Sequence, residues 1–106
     1  MNNFEWADAK TIDEAQGLMT DSSAYKAGGV DLLDMMKEHI AAPKRIVNIR
    51  NIEGFDQIKE DGGVLHLGPM LTLAKIAEDK TIRSKWAAIA DAAGNAATPQ
   101  IRNMAT

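Results

Sequence analysis

The sequence predicts an α+β (α/β) fold in which a small parallel β-α-β unit is followed by a region of different pattern. Three observations predict it. The short apolar segment SAYKA ends at two glycines, and the next residues, DLLDMMKEHI, have the apolar spacing of a helix. The run RIVNI then follows and is rich in β-branched residues, which is typical of a strand buried on both faces. This order of strand, helix and strand favours parallel pairing with a right-handed crossover.

The residues before this unit predict one extended segment and one helix. Phe4 and Trp6 open the extended segment. Thr11 and Glu14 have the spacing of a capping box, which predicts that a helix begins within TIDEAQGLM. The apolar face of this helix is predicted to consist of Ile12, Ala15, Leu18 and Met19.

The helix of the β-α-β unit has a predicted beginning, end and buried face. Asp31 is the predicted N-cap residue, and Pro43 is predicted to stop the helix. His39 lies near the helix end, where a charged imidazole would interact favourably with the helix dipole. The adjacent Met35 and Met36 are predicted to pack in the core rather than to contact a cofactor. The predicted buried face consists of Leu32, Leu33, Met36 and Ile40.

The second half of the chain predicts a hairpin followed by helices. FDQIKEDGGVLHLGPM reads as strand, turn and strand, with the turn at Asp61-Gly62-Gly63. TLAKIAED predicts a short helix capped by Thr72. IRSKWAAIADAAGNAA predicts one continuous helix that ends near Gly94 and cannot continue past Pro99. The apolar stripe of that helix is predicted to contain Ile82, Trp86, Ile89, Ala90 and Ala93.

Composition excludes several classes of function. The 106 residues suffice for one small domain, and no apolar run reaches the length of a membrane span. The absence of cysteine excludes disulfides, thiolate catalysis and cysteine-ligated clusters within these residues. Lys and Arg are dispersed, aromatic residues are few and the net charge is −3, so no nucleic-acid partner is predicted. The two histidines have no metal-ligand spacing, and no catalytic triad or carboxylate pair is evident.

The two adjacent glycines, Gly28 and Gly29, allow two interpretations. Glycine permits a positive φ and the close approach of another group to the backbone, and the following helix offers free N–H groups at its positive end. Together these features would suit a pyrophosphate. Alternatively, the glycines serve only the geometry of a strand-to-helix turn. The residues by themselves leave both interpretations open.

Three blocks of sequence, in order, resemble the FAD-binding subunit of the molybdenum hydroxylases, the family of xanthine dehydrogenase and aldehyde oxidoreductase. The blocks are AGGVDLLDMMKEHIAAPKRIVNIRNIEGFDQI, GGVLHLGPMLTLAKIAED and AAGNAATPQIRNMAT. Val30 stands where the family usually has Thr, and Pro69 stands where Ala is common. The resemblance implies a flavin domain of the vanillyl-alcohol-oxidase (PCMH-like) type. It also implies that residues 1–106 are a fragment, the amino-terminal portion of a longer domain, with the β-α-β subdomain at about 1–52 and the start of a second subdomain at 53–106.

The resemblance implies FAD as the cofactor and no catalytic side chain or metal ligand in this chain. Thr106 would open a second flavin loop, and Thr72 would lie near the hairpin end. The residues expected to bind FAD are Ala27, Gly28, Gly29, Val30, Asp31, Leu32, Leu33, Thr72 and Thr106.

The resemblance also implies partners and a place in an oxidoreductase complex. A large molybdopterin-binding subunit would oxidise the substrate, and a small [2Fe-2S] subunit would pass electrons to FAD. The expected compartment is the cytoplasm, with the periplasm open through an exported partner. The alternative is a non-catalytic α/β assembly domain, or truncated remnant, that binds no flavin.

Overall fold

The computed structural model describes all residues 1–106, which form two compact units, Met1–Phe55 and Asp56–Thr106. Unit 1 contains three strands and two helices, and unit 2 contains a two-stranded hairpin and four helices. The elements of unit 1 are β1 (Glu5–Asp8), α1 (Ile12–Leu18), β2 (Ser23–Lys26), α2 (Val30–Lys37) and β3 (Arg45–Asn48).

The sheet of unit 1 has the strand order β1-β3-β2, and both pairs of neighbours are parallel. Ala24 lies opposite Ile46 in the β2–β3 pair, so the predicted parallel strand-helix-strand unit is confirmed. Ile46 and Val47 are adjacent in β3 and therefore point to opposite faces of the sheet, and both are fully buried. The sequence predicted only an extended segment around Trp6. In the structure this segment is strand β1, which pairs directly with β3 on the side away from β2.

Helix α1 begins at the predicted cap. The Thr11 hydroxyl accepts a hydrogen bond from the Glu14 N–H at 3.1 Å, and the Glu14 carboxylate accepts one from the Lys10 N–H at 2.7 Å. In the usual capping box the Glu side chain accepts from the N–H of the cap residue itself, whereas here it accepts from the N–H of the residue before the cap. Ala15 is buried in the core of unit 1, but Ile12 is 54% exposed, so its predicted place on the buried face was wrong. The core cluster contains Ala9, Ala15, Val47 and Ile52, with Leu18, Met19, Ile49 and Phe55 packed against it.

Helix α2 differs from its prediction at both ends. Gly29 is the N-cap, so the prediction of Asp31 as the cap was wrong, and Asp31 lies in the first turn. The helix ends at Lys37, well before Pro43. Ile40 is therefore outside the helix and 75% exposed, which contradicts its predicted place on the buried face. Met36 is buried as predicted, whereas Met35 is 39% exposed.

A Schellman motif ends α2. His39 has φ +57°, and its N–H donates to the Met36 carbonyl at 3.2 Å. The Ile40 N–H donates to the Met35 carbonyl at 2.8 Å. These bonds satisfy two carbonyls of the last turn, and the left-handed residue between them reverses the chain. The motif stops the helix without help from proline, and it places a histidine where glycine is preferred.

Replacing His39 with glycine is expected to stabilise unit 1. Glycine removes the steric cost of the left-handed conformation but loses more backbone entropy, so the expected net gain is about 0.5–1 kcal/mol. For a domain of this size the gain corresponds to a rise of roughly 3–5 °C in Tm by calorimetry. The matched control is Asp34→Gly in the exposed middle of α2, which should lower stability by roughly 0.3 kcal/mol because glycine has a lower helix propensity than aspartate. An unchanged or lower Tm for His39→Gly would contradict the expectation.

Unit 2 opens with the predicted hairpin of β4 (Ile58–Asp61) and β5 (Val64–Leu67), paired antiparallel. Gly62 and Gly63 both have positive φ, +56° and +80°, as a two-residue type I′ turn requires. The Lys85 ammonium forms an ion pair of 2.7 Å with Glu60 and so connects the hairpin to the helices of unit 2. Those helices are α3 (Leu73–Glu78), α4 (Lys80–Lys85), α5 (Ala87–Asn95) and α6 (Pro99–Arg102).

The long helix predicted after the hairpin region is broken at Trp86. Trp86 has φ −131° and ψ 55°, outside the helical region, so α4 and α5 are separate helices and the prediction of one helix was wrong. Ile82, on α4 before the break, is fully buried. Helix α5 packs closely on α3, since a Cβ on Gly94 would lie 3.5 Å from the Ala77 Cβ.

The predicted apolar stripe is only partly buried, and α5 ends close to the predicted position. Ala90 and Ala93 are buried as expected, whereas Ile89 is 39% exposed. Helix α5 ends at Asn95, close to the predicted end. Pro99 follows as the first residue of α6, whose N-cap Thr98 accepts from the Ile101 N–H at 3.3 Å. Proline is well suited to this position, because its missing N–H would have no helical partner there.

Candidate functional site

The three parallel strands of unit 1 end at one edge of their sheet, and each ends in a polar residue. Asp8, Asn48 and Lys26 lie side by side there, in register. The Asn48 Nδ2 donates to Asp8 Oδ1 at 2.7 Å, and the Trp6 indole N–H donates to Asp8 Oδ2 at 3.1 Å. Asn48 is buried at this edge. Open α/β sheets bind ligands outside the carboxyl ends of their strands, so this edge is the candidate site of unit 1.

The loop of residues 27–29 leads from this edge into α2. The Leu33 N–H donates to the Gly29 carbonyl at 3.0 Å, the first bond along the helix. The N–H groups of the first turn before Leu33 therefore have no acceptor within the helix, and no side chain caps them. These donors and the positive end of the helix dipole point out of the same end of α2. The arrangement suits a group that carries negative charge, such as a phosphate.

Gly29 is required by its backbone and by its surroundings. Its φ of +85° lies in the left-handed region that glycine adopts at low cost. A Cβ at this position would lie 2.6 Å from the Lys26 Cε and 3.2 Å from the Lys26 Nζ. A side chain on Gly29 would therefore displace the lysine as well as strain the turn. The missing Cβ gives the Lys26 side chain room to pack against the backbone at the start of α2.

The structure adds Lys26 to the predicted loop. Its side chain is half-buried, and its Nζ donates to the Ala27 carbonyl at 3.2 Å and lies 5.7 Å from the centre of the Trp6 ring. The sequence interpretation included Lys26 only as one residue of the strand candidate SAYKA. One signal could have indicated it: a strand residue next to a glycine loop stands at the carboxyl edge of a parallel sheet. The orientation of its ammonium beside Gly29 needed the structure.

The structure gathers seven of the predicted FAD-binding residues around the start of α2. Ala27, Gly28 and Gly29 form the loop, and Val30 is the first helical residue. Asp31 is exposed in the first turn. Leu32 and Leu33 continue that turn and are half-buried. The role of each in binding a flavin stays a prediction.

The other two predicted residues lie close together in unit 2. The Thr72 hydroxyl accepts from the Lys75 N–H at 3.2 Å and so caps α3, as predicted. The Leu73 N–H, next to this cap, donates to the Ala105 carbonyl at 2.9 Å. Leu73, which follows Thr72, and Ala105, which precedes Thr106, are therefore joined by a hydrogen bond. Thr72 and Thr106 belong to one region of unit 2, and no pattern in the sequence predicts that they lie near each other.

The structure contains no group of three or more His, Cys, Asp or Glu side chains that could hold a metal ion. None of its helices combines the length and the apolar composition needed to cross a membrane.

A family model of the FAD binding domain in molybdopterin dehydrogenase matches residues 2–106, almost the whole chain. The chain belongs to this family of FAD-binding domains. Its mixed fold with a parallel sheet is the fold of the family's solved members. The prediction of the family, of its fold type and of FAD as its cofactor is thus confirmed.

Two curated members of this FAD-binding family show how much of a relative the chain covers. The nicotinate dehydrogenase FAD-subunit of Eubacterium barkeri is 31% identical over 110 residues, which cover 100% of this chain and 37% of the relative. The xanthine dehydrogenase FAD-binding subunit of Escherichia coli O157:H7 is 35% identical over 102 residues, or 92% of this chain and 35% of the relative. The chain therefore spans little more than a third of the length of these family members.

Solved structures give the same result for the fold. A chain of the Cu,Mo-CO dehydrogenase superposes with a TM-score of 0.94 at 30% identity, covering 99% of this chain and 38% of that one. A chain of the carbon monoxide dehydrogenase from Hydrogenophaga pseudoflava, in a form that lacks the Mo-pyranopterin moiety, gives a TM-score of 0.93 at 30% identity. These FAD-binding family members share the architecture of this chain over nearly its full length.

Proposed function

We propose that the chain is part of the FAD-binding subunit of a molybdenum-containing hydroxylase or dehydrogenase, of the xanthine dehydrogenase or aldehyde oxidoreductase type. The match of the family model to residues 2–106 carries this proposal. The left-handed Gly29 and the uncapped start of α2 are compatible with it, because such a helix end can receive a phosphate. The family match favours a flavin protein over an assembly domain that binds no flavin.

In this proposal the loop of residues 27–29 and the first turn of α2 hold the FAD pyrophosphate. The backbone N–H groups of the first turn would donate to phosphate oxygens, and Gly29 would let them come close. Val30 offers no hydroxyl, so the backbone would provide the donors at this position. Thr72 and Thr106 are proposed as further FAD-binding residues, and residues 1–106 would be the amino-terminal portion of the domain.

Bound FAD would supply the conversion between one-electron transfer from [2Fe-2S] clusters and two-electron transfer to an acceptor. The described residues would fix the cofactor and take no part as acids, bases or nucleophiles. The proposed partners are a large molybdopterin subunit and a small [2Fe-2S] subunit, since relatives carry the names medium subunit and medium chain. The proposed compartment is the cytoplasm, with the periplasm as the alternative for a complex with an exported partner.

The flavin content of the complete subunit tests the proposed function. We expect the purified subunit that contains residues 1–106 to carry stoichiometric, non-covalent FAD, because both parts of the site are then present. The flavin is released by acid, identified by chromatography and quantified by its absorbance against protein concentration. FMN in place of FAD, or no flavin after reconstitution with excess FAD, would contradict the proposal and favour the assembly domain.

A further inference from the structure

We propose that Lys26 is a ligand of the cofactor pyrophosphate and the cation that neutralises it, an inference that rests on the proposed FAD site. The position follows from the geometry of Gly29. The Lys26 side chain fills the place that a Cβ of Gly29 would take, and its Nζ lies 3.2 Å from that point, beside the start of α2. An ammonium at this point stands beside the backbone donors of the first turn.

The charge of Lys26 is uncompensated within unit 1. The ion pairs of the structure join Arg45 to Glu5 and Lys85 to Glu60, and no carboxylate of unit 1 lies within ion-pair distance of Lys26. The ammonium donates to the Ala27 carbonyl, which uses one of its three donors. Its remaining donors and its full positive charge are available to an anionic ligand.

The neighbouring charges make such a cation necessary for a pyrophosphate. Asp31 carries a carboxylate in the first turn of α2, and Asp8 carries one at the same edge of the sheet. Both would repel a phosphate, and the partial charge of the helix end is smaller than either of them. The Asp8 carboxylate is bound by Asn48 and Trp6, whereas the Lys26 ammonium lies over the Trp6 ring. The contact with the Trp6 ring keeps the ammonium at the sheet edge, and its charge is not used in an ion pair with either carboxylate.

The test compares FAD binding by the complete subunit and its Lys26→Met variant, which keeps the length of the side chain and removes its charge. Losing a charge-assisted hydrogen bond should weaken FAD binding by roughly tenfold or more. ADP, which has the pyrophosphate but no flavin ring, should weaken as a competitor by a similar factor, and adenosine should not. Lys26→Arg should restore most of the affinity.

Two further measurements separate this role from a structural one. The dependence of FAD affinity on salt should be shallower in Lys26→Met than in the wild type, because one ionic contact is missing. The matched control is Lys37→Met at the exposed far end of α2, which removes the same charge and should leave FAD and ADP binding unchanged. The Tm of the flavin-free subunit should be the same in wild type and Lys26→Met.

The outcomes distinguish this inference from the proposed function. If the wild-type subunit binds FAD and Lys26→Met binds FAD and ADP equally well, Lys26 is not a ligand, and the proposed function stands. The same conclusion follows if Lys37→Met weakens binding as much as Lys26→Met does. If the wild-type subunit binds no FAD, the proposed function fails first. Selective loss of FAD and ADP affinity in Lys26→Met alone supports the inference.

Discussion

Gly29→Val in the complete subunit is expected to give a folded protein that has lost most of its FAD. The new side chain would occupy the space above the start of α2 and push the Lys26 ammonium away, because its Cβ would lie 2.6 Å from the Lys26 Cε. The far end of a lysine is flexible, so the fold should survive the displacement. We expect the affinity for FAD to fall at least tenfold, which corresponds to a loss of about 1.4 kcal/mol of binding free energy. Flavin absorbance per subunit measures the effect.

Gly54→Val is the matched control for the backbone strain of this change. Gly54 also lies in unit 1 and has φ +84°, but nothing lies within 4 Å of a Cβ built there. Both variants should lose about 1–2 kcal/mol of stability from a side chain at positive φ. Only Gly29→Val should lose flavin. Full FAD occupancy in Gly29→Val, with its fold verified by circular dichroism, would show that the glycine loop serves the turn alone.

The isolated chain of residues 1–106 is expected to bind FAD weakly or not at all and to have no reductase activity. The chain provides about a third of the length of its relatives, and the proposal assigns it only the first flavin loop intact. Much of the entropy cost of ordering the ligand remains when part of the contacts is missing, so affinity should fall by orders of magnitude. Equilibrium dialysis with FAD and an assay of electron transfer to an artificial acceptor would measure both properties.

The same polypeptide is expected to self-associate through an apolar surface of unit 2. Leu73, Ile76 and Ile89 border an open cavity of about 450 Å³ whose other lining residues are alanines. Exposed apolar surfaces of this kind favour association. Sedimentation velocity at increasing concentration would detect it. Purification of the isolated chain as a monomer with stoichiometric, non-dissociating FAD would overturn both expectations.

The fold could be predicted where local patterns carry it. Thr11, Thr72 and the pair Gly62-Gly63 each act through bonds or dihedral angles within a few residues, and all three predictions hold. The end of α2 and the break at Trp86 were missed for a different reason. A Schellman motif with histidine in place of glycine has no strong sequence signal, and Trp86 has ordinary helix propensity. In both places tertiary packing and bonds between main-chain groups determine the backbone.

The candidate site also contains residues that local sequence patterns indicated and residues that only the structure brings together. The double glycine indicated a strand-to-helix loop, and Gly29 has the positive φ that such a loop uses. Its assignment to a flavin came from resemblance to a family, since glycines in such a turn suit a phosphate and a plain turn equally. Lys26 was missed because its relevance depends on the distance of its ammonium from Gly29. The closeness of Thr72 and Thr106 depends on a bond between Leu73 and Ala105, residues far apart in the sequence.

The position of β3 at the centre of the sheet determines how unit 1 can fold. Its two neighbours, β1 and β2, come earlier in the chain and do not pair with each other. During synthesis neither has a partner until Arg45–Asn48 has left the ribosome. Pairing of β2 with β3 then closes a loop from Ser23 to Arg45, and pairing of β1 with β3 closes a longer one from Glu5 to Arg45. Closing these loops costs conformational entropy before the strand contacts can stabilise the sheet. The sheet should therefore assemble late and in one step. The hairpin of unit 2, which pairs across two residues, can form as soon as it is made.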